Sequence, residues 1–205
     1  MQSKQGKKIG IMGGTFDPIH IGHLIIAENA KDKYQLDMVM IMPNGNPKYK
    51  EEQGVTSVED RIRMTEIAIA DNPDFQMSLL ETKRKGYTYT YETLEQLKSE
   101  YPENIYYFIM GADSLFSLDS WMHPERICSN CTILLANRYH TKNHELDRRI
   151  EQLIEQYGAK ILKLDCPNID VSSEMIRRRI RENRTITYFV PKEVEQYIRE
   201  QNLYQ

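Results

Sequence analysis

The 205-residue chain predicts an α/β fold, a doubly wound and mostly parallel sheet with a helical C-terminal tail. Two observations carry this. Short apolar runs at 8–12, 38–42, 75–80, 105–110, 132–136 and 160–164 alternate with segments of helical spacing, the order that builds strand-helix-strand crossovers. The first run also ends in a Gly-Gly turn that leads straight into a helix, where outward-pointing backbone amides make an anion cradle. With no internal repeat or low-complexity tract, residues 1–205 read as one domain. Residues 1–7 form a flexible polar lead and 171–205 the C-terminal helical part.

Bulk properties narrow the function. A chain of this length buries roughly 70% of its unfolded surface and needs no disulfide or metal staple. The net charge of -3 excludes the broad basic surface of a general nucleic-acid binder, while a local cationic cluster for a small anion remains compatible. Met1 to Lys8 lacks the apolar core of a secretion signal, and runs such as Met38–Met42 are too short to cross a bilayer. A cytoplasmic protein with no membrane partner is expected. The odd set Cys128, Cys131 and Cys166 suits a reducing compartment. Cys128 and Cys131 with His140 and His144 do not make a zinc finger, because eight residues that read largely as a strand separate Cys131 from His140. A finger loop holds about twelve.

In chain order, Lys8 to Met12 is a buried strand. Gly13 and Gly14 open the turn, Pro18 fixes its exit, and His20 and His23 stand three apart at the start of the helix Ile21 to Tyr34. That spacing lets both rings face one point near the helix N-terminus, a setting that favours a polyanion. The second strand, Met38 to Met42, ends in Pro43-Asn-Gly-Asn-Pro47 with no acidic residue to hold a ribose. The glycine turn also lacks G-x-G-x-x-G spacing, so a nicotinamide-dependent dehydrogenase is disfavoured. The loop Pro43 to Thr56 carries Lys48, Tyr49 and Lys50. Ser57 to Asp60 caps a helix whose apolar side is Ile62, Met64, Ile67, Ala68 and Ile69, and Asn72-Pro73 stops it.

Phe75 to Leu80 reads as the third strand. The basic turn Lys83 to Thr90 follows, and the helix Glu92 to Glu100 offers free amides near Thr90. Ile105 to Met110 is a central strand, and Asp113, just past its end, is placed to accept from a ribose hydroxyl. Trp121 serves either core packing or the stacking of a flat ring. Thr132 to Ala136 is the fifth strand, ending at Asn137-Arg138. His144 to Tyr157 is a helix with Leu146, Ile150, Leu153 and Ile154 inward, and Lys160 to Leu164 is the sixth strand. Ser172 or Ser173 caps the next helix, with Arg177 one turn along, and Pro191 starts the last, Lys192 to Gln201, packed through Val194, Tyr197 and Ile198. In such sheets ligands collect at the carboxyl ends of the strands where the order reverses. If the first and fourth strands are neighbours, the Gly13 and Gly111 turns face each other there.

Thr15-Phe-Asp-Pro-Ile-His-Ile-Gly-His23 resembles the phosphate-binding signature of the HxGH nucleotidyltransferase superfamily, which implies a Rossmann-like nucleotidyltransferase fold. Pro43-Asn44 with Lys50, Tyr89-Thr90 ahead of Glu92-Thr-Leu94, Gly111-Ala-Asp113, Trp121, and Val171-Ser-Ser173 with Arg177 occur in the order seen in bacterial nicotinate-mononucleotide adenylyltransferases. The match spans nearly the whole chain. The resemblance implies transfer of AMP from ATP to nicotinate mononucleotide, giving deamido-NAD and pyrophosphate, with Mg2+ carried by ATP and no metal held by protein side chains. By the same resemblance ATP meets Gly13, Gly14, Thr15, Phe16, Asp17, His20, His23, Gly111, Asp113, Arg138, Ser172, Ser173 and Arg177. The mononucleotide meets Asn44, Lys50, Thr90, Trp121 and Met122, and catalysis falls to His20, His23, Lys50 and Arg177. The implied partners are these two small molecules, with self-association into a homo-oligomer left open.

Two positions depart from the family pattern, Tyr49 where many relatives have histidine and Glu174 where threonine is common. Pantetheine-phosphate adenylyltransferases and cytidylyltransferases share the first and last motifs. They are not expected to combine the Tyr-Thr turn, the Gly-Ala-Asp segment and Trp121. A non-catalytic nucleotide sensor is opposed by the intact set His20, His23, Lys50 and Arg177.

Overall fold

In the computed structural model, which describes residues 6–45, 54–84, 86–138, 144–167 and 169–205, one sheet holds six strands. They are β1 (Lys8–Gly14), β2 (Met38–Pro43), β3 (Phe75–Met77), β4 (Ile105–Gly111), β5 (Thr132–Arg138) and β6 (Lys160–Cys166). Their spatial order is β3-β2-β1-β4-β5-β6 and every pairing is parallel, so all carboxyl ends share one edge. The helices are α1 (Ile21–Tyr34), α2 (Val58–Ile69), α3 (Thr90–Glu100), α4 (Ala112–Phe116), α5 (Pro124–Asn130), α6 (His144–Tyr157), α7 (Ser173–Arg181) and α8 (Lys192–Glu200).

Alternation along the strands divides the core in two. On one face Met12, Val39, Ile41, Ile109 and Leu134 pack with residues of α1, α2, α7 and α8, among them Ala27, Met64, Ile176 and Val194. On the other, Ile11, Phe108, Ile133 and Leu135 pack with Leu94 of α3, Leu115 of α4, Ile127 of α5 and Leu146 of α6. Both faces are covered, as a parallel sheet of apolar strands requires.

The sheet parts at its centre. β1 stays paired with β2 as far as Gly14 opposite Pro43, and β4 with β5 as far as Gly111 opposite Ala136. Pairing between β1 and β4 stops at Ile11 opposite Phe108, three residues short of either end. A crevice therefore opens where the strand order reverses, between the Gly13 and Gly111 turns.

Several elements differ from expectation. The third strand ends at Met77 rather than Leu80, because the chain turns at residues 79–83 and carries the Glu81 side chain inward. α4 and α5 are too short for periodicity to reveal them. α2 buries Arg61, Met64, Thr65 and Ile69, while Ile62, Ile67 and Ala68 are half-buried, since polar acceptors rather than apolar side chains meet its first turn. Ile154 of α6 is 47% exposed, as the helix seats only a narrow stripe through Leu146 and Leu153. Among the described residues no helix is long and apolar enough to cross a membrane.

Candidate functional site

The turn after β1 is rigid. Phe16 has φ 50°, in the left-handed region, and its ring is 2% exposed, so burial offsets a backbone cost of order 1–3 kcal/mol. Phe16 can therefore meet a ligand only through its backbone. His20 caps α1, and its N–H donates to Nδ1 of His23 across 3.3 Å, which leaves the proton of neutral His23 on Nε2. The two rings stack 3.7 Å apart, and Phe16 meets His23 edge-on at 5.0 Å. His20 Nδ1 is buried without a hydrogen-bond partner among the described residues. Gly22 packs closely beside it, since a Cβ there would lie 3.0 Å from that nitrogen. Burial pushes the His20 pKa down to about 4 and that of His23 well below the ordinary value, with the neighbouring His20 adding to the second shift. At neutral pH the pair offers neutral N–H donors.

On the β2 side, the Asn44 N–H donates to the Gly14 carbonyl, and its Nδ2 reaches Thr15 Oγ1 at 3.4 Å. Arg61, 2% exposed, lies behind both segments and donates to the carbonyls of Thr15, Asn44, Gly45 and Thr56. Lys50 and Tyr49 lie outside the described residues.

α7 and the C-terminal tail close the other side. Ser172 caps α7 by accepting from the Met175 N–H, which leaves Ser173 to donate to the Pro18 carbonyl at 2.9 Å. Arg177 donates to the Asp17 carbonyl at 2.7 Å. The Asp17 side chain, 4% exposed, faces inward, with Oδ1 accepting from the Tyr204 hydroxyl at 2.7 Å and Oδ2 from the Thr56 N–H at 3.3 Å. Both carboxylate oxygens are thus engaged within the fold. Glu174 is exposed in the first turn of α7.

The circuit continues around the crevice. Gly45 abuts the chain at Glu81, where a Cβ would come within 2.7 Å of the carbonyl, and the Glu81 carboxyl accepts from Thr93 Oγ1 in α3. Burial raises the Glu81 pKa, opposed by that bond. Thr90 opens α3. Its neighbour Tyr91 meets the His123 ring edge-on at 4.8 Å and lies under Arg126 at 4.3 Å, which brings the Thr90 turn to the Trp121 segment. Trp121 is half-buried and edge-on to Phe108 at 6.2 Å, while the Phe108 ring lies 3.8 Å from where a Cβ on Gly13 would stand. Met122 is 44% exposed. Gly111 and Asp113 are exposed at the carboxyl end of β4, and Arg138 closes β5, its side chain outside the described residues.

Contacts thus run from Arg177 through the glycine turn, Asn44, Glu81, α3 and Trp121 back to Gly13. Helix N-termini, paired imidazoles and the backbone of the glycine turn converge on one end of the crevice, and an aromatic wall and a helix start on the other. Such a site suits a polyphosphate beside a flat ring. Arg61, Glu81, Phe108 and Tyr204 were not legible as site residues. Only Arg61 leaves a trace, standing three, four and eight residues before Met64, Thr65 and Ile69 on one helical face.

The family described as cytidylyltransferase-like matches residues 11–179. A protein of Lachnoclostridium phytofermentans described as "Probable nicotinate-nucleotide adenylyltransferase" is 41% identical, covering 97% of this chain and 99% of its own. One of Caldicellulosiruptor saccharolyticus with the same description is 43% identical over 96% and 98%. Among solved structures, Plasmodium falciparum nicotinic acid mononucleotide adenylyltransferase complexed with NaAD superposes with a TM-score of 0.77 at 20% identity, covering 97% of each chain. That last likeness speaks to the fold.

Proposed function

The chain belongs to the nicotinate-nucleotide adenylyltransferases of the cytidylyltransferase-like family, and from that premise we propose how its crevice works. It is an enzyme that joins AMP from ATP to nicotinate mononucleotide, forming deamido-NAD and releasing pyrophosphate. The observation that carries this reading is the stacked His20–His23 pair at the N-terminus of α1, set where β1 and β4 part.

The reaction asks for no protein nucleophile. A phosphate oxygen of the mononucleotide attacks the α-phosphorus in line while the bond to pyrophosphate breaks, so catalysis consists of positioning and charge stabilisation. The amides of Gly13 to Thr15 and the N–H groups of His20 and His23 receive phosphate oxygens, donating most strongly as charge grows in the transition state. Arg177, fixed by the Asp17 carbonyl, and the N-terminus of α7 stand on the same side. Lys50 supplies further positive charge, Asp113 holds a ribose, and Asn44, Thr90, Trp121 and Met122 receive the mononucleotide. Backbone amides near Thr90 and Trp121 favour a ring carboxylate over an amide, which would present its own donors against them.

Nucleotidyltransferases of this kind commonly use a divalent cation. Because both Asp17 oxygens accept hydrogen bonds inside the fold, that side chain is not turned toward such an ion, which would come as Mg2+ on the triphosphate. Bound there, it neutralises phosphate charge.

The test incubates the protein with ATP, Mg2+ and a panel of nicotinate mononucleotide, nicotinamide mononucleotide and phosphopantetheine, scoring dinucleotide and pyrophosphate. Deamido-NAD should form fastest. Equal rates with both mononucleotides defeat acid selectivity, and adenylation of phosphopantetheine alone defeats the reading.

A further inference from the structure

We propose that Arg61 is a positioning residue that sets the spacing between the two substrate sites, a role that rests on the function proposed above. Its guanidinium is buried in α2 and touches no reacting atom. Nη1 donates to the Thr15 carbonyl at 2.8 Å, to the Asn44 carbonyl at 2.9 Å and to Asn44 Oδ1 at 3.3 Å. Nη2 reaches the Gly45 carbonyl at 3.0 Å, and Nε the Thr56 carbonyl at 3.2 Å. One rigid group thus holds the phosphate-binding turn of β1, the end of β2 where Asn44 stands, and the chain just before α2.

The choice of side chain follows from the geometry. Burying a cation costs several kcal/mol in desolvation, and an apolar residue would fill the same space without that cost. Desolvation lowers the Arg61 pKa, while the Asp17 carboxylate opposes the shift. What the arginine gains is a planar fork whose three nitrogens reach five oxygen acceptors here. A lysine has three donors at one point and cannot span them.

The segments so held belong to different ligands. Thr15 lies in the ATP turn and Asn44 on the mononucleotide side, and they also meet directly through Asn44 Nδ2 and Thr15 Oγ1. Gly45 is gripped from both sides, by Arg61 on its carbonyl and by the Glu81 backbone against its Cα. In-line attack depends on the distance between the incoming oxygen and the α-phosphorus, so a small relative shift of the two sites weakens turnover more than it weakens either binding step.

The test uses the full chain with Arg61→Lys, which keeps the charge and loses the fork. Thermal melting and steady-state kinetics with ATP and nicotinate mononucleotide are measured well below the melting midpoint. Turnover should fall about 10–100-fold while each KM stays within about 3-fold. Unchanged kcat with only a lowered melting midpoint would make Arg61 a stabilising core residue. Raised KM with intact kcat would make it a binding residue, and either result overturns the proposal. If Arg61→Lys does not fold, Gly45→Ala displaces the same segment with the buried cation retained. It should show the same kcat loss, and full activity there overturns the proposal as well. A wild-type protein that forms no dinucleotide refutes the assigned reaction, whereas an active wild type with a fully active Arg61→Lys variant refutes the role of Arg61 alone.

Discussion

The backbone N–H of His20 donates to Nδ1 of His23, and the two rings stack 3.7 Å apart at the start of α1. Cap and proposed catalytic pair are therefore one structure. Removing His20 takes away the proposed phosphate donor and the stacking partner of His23 together. His20→Ala should lower turnover by about 10²–10³-fold with a smaller change in the KM for ATP. Wild-type turnover in that variant, measured as pyrophosphate release, would remove both histidines from the mechanism.

Burial of the pair also makes stability depend on pH. The His20 pKa falls from 6.5 to about 4 in the folded chain, so between those values the unfolded chain binds the proton and the native one does not. The stabilisation is complete above pH 6.5 and is lost as pH drops toward 4, by about 3 kcal/mol for this group. His23 acts in the same direction. Urea unfolding at pH 7, 5.5 and 4.5 should show the decline, and His20→Gln should make it shallower while His23 keeps the rest.

Gly22 separates activity from stability. A methyl group there would stand 3.0 Å from His20 Nδ1, while alanine suits a helix better than glycine by about 1 kcal/mol. Gly22→Ala should melt no lower than wild type yet turn over about 10-fold more slowly. Equal rates would show that the ring adjusts freely.

Tyr204 ties the C-terminal tail to the turn through a 2.7 Å bond to Asp17 Oδ1. Tyr204→Phe leaves that buried carboxylate with only the Thr56 N–H as a hydrogen-bond donor among the described residues, which should cost about 2 kcal/mol in denaturant titration. A loss below a few tenths would mean that the hydroxyl is dispensable.

Trp121 should matter to one substrate. Trp121→Ala is expected to raise the KM for nicotinate mononucleotide roughly 2–10-fold, the worth of one aromatic contact, with the KM for ATP within about 2-fold. Equal effects on both would point to the loss of its packing on Phe108 instead.

Much of this protein is local and was therefore legible in the chain itself. Short apolar runs marked the strands. The Gly13-Gly14 turn, the His20–His23 spacing and a serine cap at Ser172 or Ser173 are each set within a few residues, where backbone sterics and helix geometry act. The alternation of elements sufficed for a parallel sheet. What folding decided were the long-range partners. That β1 lies beside β4 and parts from it after Ile11 depends on packing along whole strands. That the Asp17 side chain turns inward toward Tyr204 depends on where a tail 187 residues later comes to rest. Arg61 sits among the apolar residues of a helix, and only the arrival of three distant carbonyls beside the nearby one of Thr56 makes its burial tolerable. A buried charge or carboxylate is stable only with its partners in place, and no spacing along a chain reveals partners that folding alone brings near.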